Sequence, residues 1–274
     1  MASSTDRKPA TRGYAPVNGL KMYYEIEGTG DPLVIIPPAF GFAGQKSFPE
    51  LVNRHTVITV DLQGNGRTAD IPERPLSIGQ YAKDVVGLLS FLGIPKADFF
   101  GESYGASTAL MIACERPELV GRVVAFGATF GPPRDALNTD ILRFDSPPTP
   151  DSKGIRHQKE MYGKVAPYPD YWPRIWAKIG GIQWEGFSSD QLASIKAPVL
   201  IVVGDHDFVR VEHAADAARR IPNAELAVIP DASHFVLFSE PERVSPVVKY
   251  FLEKPANRSR LANAETGYWP GETR

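Results

Sequence analysis

A single cysteine, Cys114, occurs in 274 residues, so no intrachain disulfide can close. That suits a reducing compartment and leaves folding to burial rather than to covalent staples. An excess of one charge is also missing: 30 Lys and Arg face 32 Asp and Glu, a net charge of −2. Such a balance steers the chain toward neither nucleic acid nor an anionic membrane, so neither is expected as a partner. No run reaches the roughly eighteen apolar residues of a membrane span. The opening stretch, MASSTDRKPATRGY, lacks the apolar region of a secretory signal. A soluble cytoplasmic protein is the expectation, with a homo-oligomer left open. No Cys/His cluster has metal-ligand spacing. The glycines of LQGNGRTAD lack the G-x-G-x-x-G spacing and a Walker lysine. No metal and no cofactor are therefore expected.

What is present is apolar. Hydrophobic residues make up 43% of the chain, enough for a large core. KMYYEIEG (21–28) alternates and reads as a strand. Short continuous runs follow in PLVIIPP, HTVITVD, ADFFGES, RVVAFGAT, APVLIVVGD and AELAVIPDASH. Val/Ile runs apolar on both faces suit a buried, mostly parallel sheet. Helical patterns alternate with them, over 77–94 with Ser77 as N-cap, over 104–117, over 210–222, and over 240–254 with an interruption at Pro246. Strand and helix in alternation predict a doubly wound α/β fold.

Residues 131–190 break that rhythm, with prolines clustered among tyrosines and tryptophans. The stretch is too long for a plain loop and too aromatic for a linker. A small, mainly helical cap inserted into the sheet domain is expected there. The remaining layout is a loose N-terminus over 1–15, a core built from 16–130 and 191–254, and a peripheral tail over 255–274.

One turn carries chemistry. Gly101-Glu102-Ser103-Tyr104-Gly105 fits G-x-S-x-G between an apolar strand and an apolar helix. A nucleophile raised on so tight a turn leaves no room for side chains two residues before and after it. The helix that starts there aims free N–H groups at the site, where they favour a developing oxyanion. Serine needs a base, and the base needs a carboxylate to orient it. Of five histidines, His55 reads as structural and His157 falls in the insertion. His206 and His213 read as solvated. His234 follows the last apolar run, at the sheet edge where open α/β folds build their sites, and is the expected base. Asp205 and Asp207 follow APVLIVVG. Asp207 is preferred as the acid, and Asp205 is expected to hold the turn. Glu102 is expected to point into a polar network or solvent.

With these pieces in order, residues 20–254 resemble the α/β-hydrolase superfamily, in particular its cap-bearing bacterial-type serine hydrolases. The resemblance implies the same three residues, Ser103, Asp207 and His234. Relatives usually carry His-Gly where this chain has Pro37-Pro38. The following residue supplies one oxyanion N–H, which the resemblance assigns to Ala39, with Tyr104 supplying the other. Phe40, Phe42 and Phe235 near the mouth, with Trp172 and Trp176 in the insertion, are candidates to line an apolar pocket. Core packing is the competing reading for each. The expected activity is hydrolysis of a small carboxylic ester or lactone. The alternatives are hydrolysis of a carbon–carbon bond in a diketone-like substrate by the same residues, and a small-molecule binder with little turnover.

Overall fold

The computed structural model describes residues 10–44, 48–138, 140 and 153–254. The expected tail over 255–274 and the first nine residues lie outside them. Among the described residues, eight strands form one sheet: β1 (Thr11–Val17), β2 (Leu20–Glu27), β3 (Asp31–Ile36), β4 (His55–Val60), β5 (Ala97–Glu102), β6 (Val120–Phe126), β7 (Val199–Gly204) and β8 (Ala224–Ile229). Their order across the sheet is β1-β2-β4-β3-β5-β6-β7-β8. β2 pairs antiparallel with β1 and β4, and the other neighbours pair in parallel. The helices are α1 (Ile78–Leu92), α2 (Tyr104–Glu115), α3 (Pro133–Ala136), α4 (Lys153–Val165), α5 (Trp172–Gly180), α6 (Ser189–Ser194), α7 (Val211–Arg220), α8 (Val236–Ser239) and α9 (Ser245–Glu253).

The apolar runs form strands because both faces of the sheet are covered. Successive side chains point to opposite faces. Val34 and Phe99 join a core layer with residues of α1 and α2, and their neighbours Leu33 and Phe100 join a second layer with residues of α9. Every residue of β7 is buried. The chain leaves β3 for β4 on one side and returns to β5 on the other. The strand order therefore reverses at β3, and the crevice at the carboxyl ends of β3 and β5 is where such sheets hold their ligands.

Helix limits follow local chemistry. The Ser77 hydroxyl accepts the Gln80 N–H at 3.1 Å and caps α1, which ends at Gly93 with φ 67°. α2 is buried from Gly105 to Ala113, which explains its all-round apolar sequence.

Two expectations change. Thr11–Val17 pair with β2, so the sheet starts at residue 11, inside the segment expected to be loose. Pro246 does not interrupt a helix. A short 3₁₀ turn, Pro241–Arg243, comes first, and Pro246 sits in the first turn of α9, where its missing N–H would have no partner. Helices α3 to α5 lie in the inserted stretch between β6 and β7, and α6 straddles its expected end. No described helix is long and apolar enough to cross a membrane.

Candidate active site

Ser103 leaves β5 and opens α2 with φ 55° and ψ −118°, a region that residues with a side chain rarely enter. Its N–H donates to Phe126 O at 2.8 Å, and its carbonyl accepts the Ala106 and Ser107 N–H groups. Both flanking glycines are sterically required. A Cβ at Gly101 would lie 2.3 Å from Gly105 O, and a Cβ at Gly105 would lie 2.1 Å from Ile36 O.

β7 delivers the two aspartates differently. Asp205 is exposed, and its Oδ1 accepts the Ala232 N–H at 3.0 Å, holding the turn as expected. Asp207 is buried. Its Oδ1 accepts the Val209 N–H at 2.8 Å and lies 2.8 Å from His234 Nδ1. The imidazole has little freedom. The Phe208 ring lies 3.8 Å from it, centroid to centroid. Gly127, with φ 58°, also packs close to it: a Cβ there would be 2.5 Å from His234 Cε1.

Ser103 and His234 line one cavity of about 540 Å³. Ala39, Phe40, Trp176 and Phe235 line it too, as do Phe208 and Phe238. Its roof comes from α4 through Ile155, His157, Gln158 and Met161. The Gln158 Oε1 is buried without a hydrogen-bond partner. The walls are thus mainly apolar, with few polar groups, the usual make-up of a small-molecule site.

Two pocket candidates belong elsewhere. Phe42 does not line this cavity; it is buried beside the Arg67 guanidinium, 6.0 Å from its ring centroid. Trp172 is 1% exposed and forms the layer behind the wall, 5.1 Å from Phe40 and 6.0 Å from Trp176 between ring centroids. Position 172 is four residues from 176 and shares its helix face, but it sits deeper against Tyr162.

The loop after β3 is held by a residue that the sequence reading passed over. Phe40 has φ 64°, stacks on Trp176 at 5.2 Å, and donates its N–H to Asn65 Oδ1 at 2.9 Å. Asn65 belongs to the LQGNGR turn, which reads from sequence as a turn and nothing more. Ala39 precedes this anchored residue, and Tyr104 begins α2. Neither N–H bonds to a described residue.

Glu102 and His213 also depart from expectation. Glu102 joins no polar network: it is buried in the cavity wall, and its Oε1 has no hydrogen-bond partner. Burial, followed by the charge of Asp207, pushes its carboxyl up to about 8. His213 is half-buried, not solvated. Its Nε2 accepts the Phe130 N–H at 2.9 Å, and burial lowers its pKa. His206 is exposed, and His55 is buried at the start of β4.

Phe208 and Gly127 were also passed over. The available signals were positional: Phe208 directly follows the acid, and Gly127 directly follows β6.

The profile of the Alpha/beta hydrolase family matches residues 33–247. The chain belongs to this family. Among curated relatives, this alpha/beta hydrolase is 26% identical to human serine hydrolase BPHL, with 89% of this chain and 87% of that protein covered. It is 25% identical to the 2-hydroxy-6-oxononadienedioate/2-hydroxy-6-oxononatrienedioate hydrolase of Burkholderia vietnamiensis, covering 86% of this chain and 92% of the relative. Among solved structures, a meta-cleavage product hydrolase from Pseudomonas fluorescens shares the fold with a TM-score of 0.73 at 20% identity, over 89% of this chain and 97% of that one. An enol-lactonase from Burkholderia xenovorans does so with a TM-score of 0.68 at 21% identity, over 88% and 100%.

Proposed function

We propose that this hydrolase cleaves a small carboxylic ester or lactone, with Ser103 as nucleophile, His234 as general base and Asp207 as its orienting acid. The observation that carries the reading is the 2.8 Å contact of Asp207 Oδ1 with His234 Nδ1 in a chain whose His234 lines the same cavity as Ser103. A proton held on Nδ1 by Asp207 leaves Nε2 free to take the serine proton. Ser103 then attacks the carbonyl, and the Ala39 and Tyr104 N–H groups receive the oxyanion. His234 returns the proton to the leaving alcohol, and water clears the acyl-enzyme by the reverse path. Pro37 and Pro38 have no N–H to offer, so Ala39 is the first residue of its loop able to donate. Helices α4 and α5 act as the cap over the acyl or aryl arm. A second reading uses the same residues on a carbon–carbon bond of a diketone-like substrate. The likeness to the oxononadienedioate hydrolase favours it.

A fluorophosphonate probe tests the nucleophile. The native protein should label, and Ser103→Ala should not; absence of labelling in folded native protein would favour a binding protein. Asp207→Asn should lower turnover of short aryl esters by about 10³- to 10⁴-fold, and Asp205→Asn should leave most of it. The reverse order would move the acid to Asp205. Turnover of vinylogous diketones in preference to aryl esters would decide for carbon–carbon cleavage.

A further inference from the structure

We propose that Glu102 is a positioning residue that must stay protonated for Ser103 to react, so that its ionisation sets an alkaline limit on the enzyme. The proposal rests on the serine-hydrolase reading above. Glu102 directly precedes Ser103 and is the last residue of β5. It lines the wall of the Ser103 cavity and also a second, much smaller one of about 20 Å³ behind it. That space holds at most a single water. Its walls are mainly apolar, formed by Pro37, Pro38, Phe42, Phe100 and Phe238 among others, with Thr59 as a polar member. One water with so few polar partners cannot solvate a carboxylate.

Among the described residues, no cation pairs with Glu102. β6 sets Phe126 opposite Glu102, the loop after β3 brings two prolines, and α8 brings Phe238. Ser103 and Tyr104 follow it on its own chain, and His234 lies across the same cavity. The charge that acts on Glu102 is another carboxylate, Asp207, which raises its pKa further. Asp207 Oδ2 is itself buried without a partner. On the cavity side the titratable side chains are His157 and His234, and neither is a hydrogen-bond partner of Glu102 Oε1.

The consequence is electrostatic. Attack on a carbonyl places a second negative charge on the oxyanion beside Tyr104 N–H, two residues from Glu102. Like charges in a partly buried site repel more than they do in bulk water. A neutral Glu102 leaves the oxyanion unopposed; an ionised one opposes it. That repulsion lowers the rate above the pKa of Glu102 without touching substrate binding.

The test is the pH dependence of Ser103 labelling by a fluorophosphonate, which requires no knowledge of the natural substrate, joined to kcat and KM for an aryl ester. For the native protein, the labelling rate should rise as His234 loses its proton, then fall about tenfold or more between pH 7.5 and 9.5. KM should stay level while kcat carries the fall. In Glu102→Gln the alkaline fall should vanish and the acid limb remain. Glu102→Asp should restore an alkaline fall. A native rate that stays level to pH 9.5, or an unchanged fall in a folded Glu102→Gln, would overturn the proposal. If Glu102→Gln fails to fold, the native profile and Glu102→Asp still decide. Absence of labelling at every pH would instead overturn the serine-hydrolase reading itself.

Discussion

Backbone strain concentrates where the chemistry is proposed. Among the described residues, four non-glycine residues have positive φ: Asn18, Phe40, Ser103 and Asp231. Two of them, Phe40 and Ser103, line the same cavity. Each such residue costs about 1–3 kcal/mol and persists only where its surroundings hold it. Ser103 is held by Phe126 O and by the closeness of Gly101 and Gly105, and Phe40 by Asn65 and Trp176. Asn65→Ala should therefore release the Phe40 loop and slow Ser103 labelling several-fold, with little change in melting temperature. Gly127 offers a sharper test. Gly127→Ala would place a methyl 2.5 Å from His234 Cε1, and a displacement near 1 Å costs about 10²-fold in rate. That loss should appear in kcat/KM for an aryl ester while circular dichroism shows a folded protein.

At the scale of elements, the inserted helices are tied down at one edge. Lys178 of α5 lies 2.7 and 2.9 Å from the two Asp70 oxygens, 3.0 Å from Ile71 O and 2.8 Å from Arg74 O. The Asp70 side chain is 1% exposed, and it also accepts the Gln63 Nε2–H at 2.7 Å. Removing the ammonium would leave a buried carboxylate with Arg174 at 3.6 Å as its remaining ion-pair partner. Lys178→Met should therefore cost about 2 kcal/mol in denaturant unfolding. Asp70→Asn in the same chain should recover part of that loss, because the orphaned charge is then gone. Phe40, Trp172 and Trp176 form a second tie between the insertion and the β3 loop.

At the scale of the whole molecule, one sheet with both faces covered should unfold as a unit. Phe99, fully buried in the layer shared with α1 and α2, should cost about 3–5 kcal/mol as Phe99→Ala. The fold as a whole also carries the burden of Glu102. Its carboxyl sits near 4.5 in the ordinary case and about 8 when folded. Between those values the folded protein holds a proton that the unfolded chain has released. Stability therefore falls as pH rises through that window. Native protein should lose melting temperature relative to Glu102→Gln from about pH 5 to pH 8, with no further divergence above it. Scanning calorimetry of both proteins at pH 5, 7 and 9 checks the sign.

Much of this protein is legible along the chain because the relevant constraints are local. A strand apolar on both faces, a serine cap at Ser77, a left-handed glycine at Gly93 and glycines two residues either side of Ser103 each follow from short-range sterics and burial. Those determine the α/β class, most element limits, and Ser103, Asp207 and His234 as candidates. The N-terminal strand escaped because its polar residues face outward and only pairing with β2 makes it a strand. The depth of each side chain was settled only by packing between segments remote in sequence. That is why Phe42 and Trp172 lie behind the wall while Phe40 and Trp176 form it, and why Glu102 is buried. Burial is a property of what the rest of the chain places around a residue, and no local pattern states it.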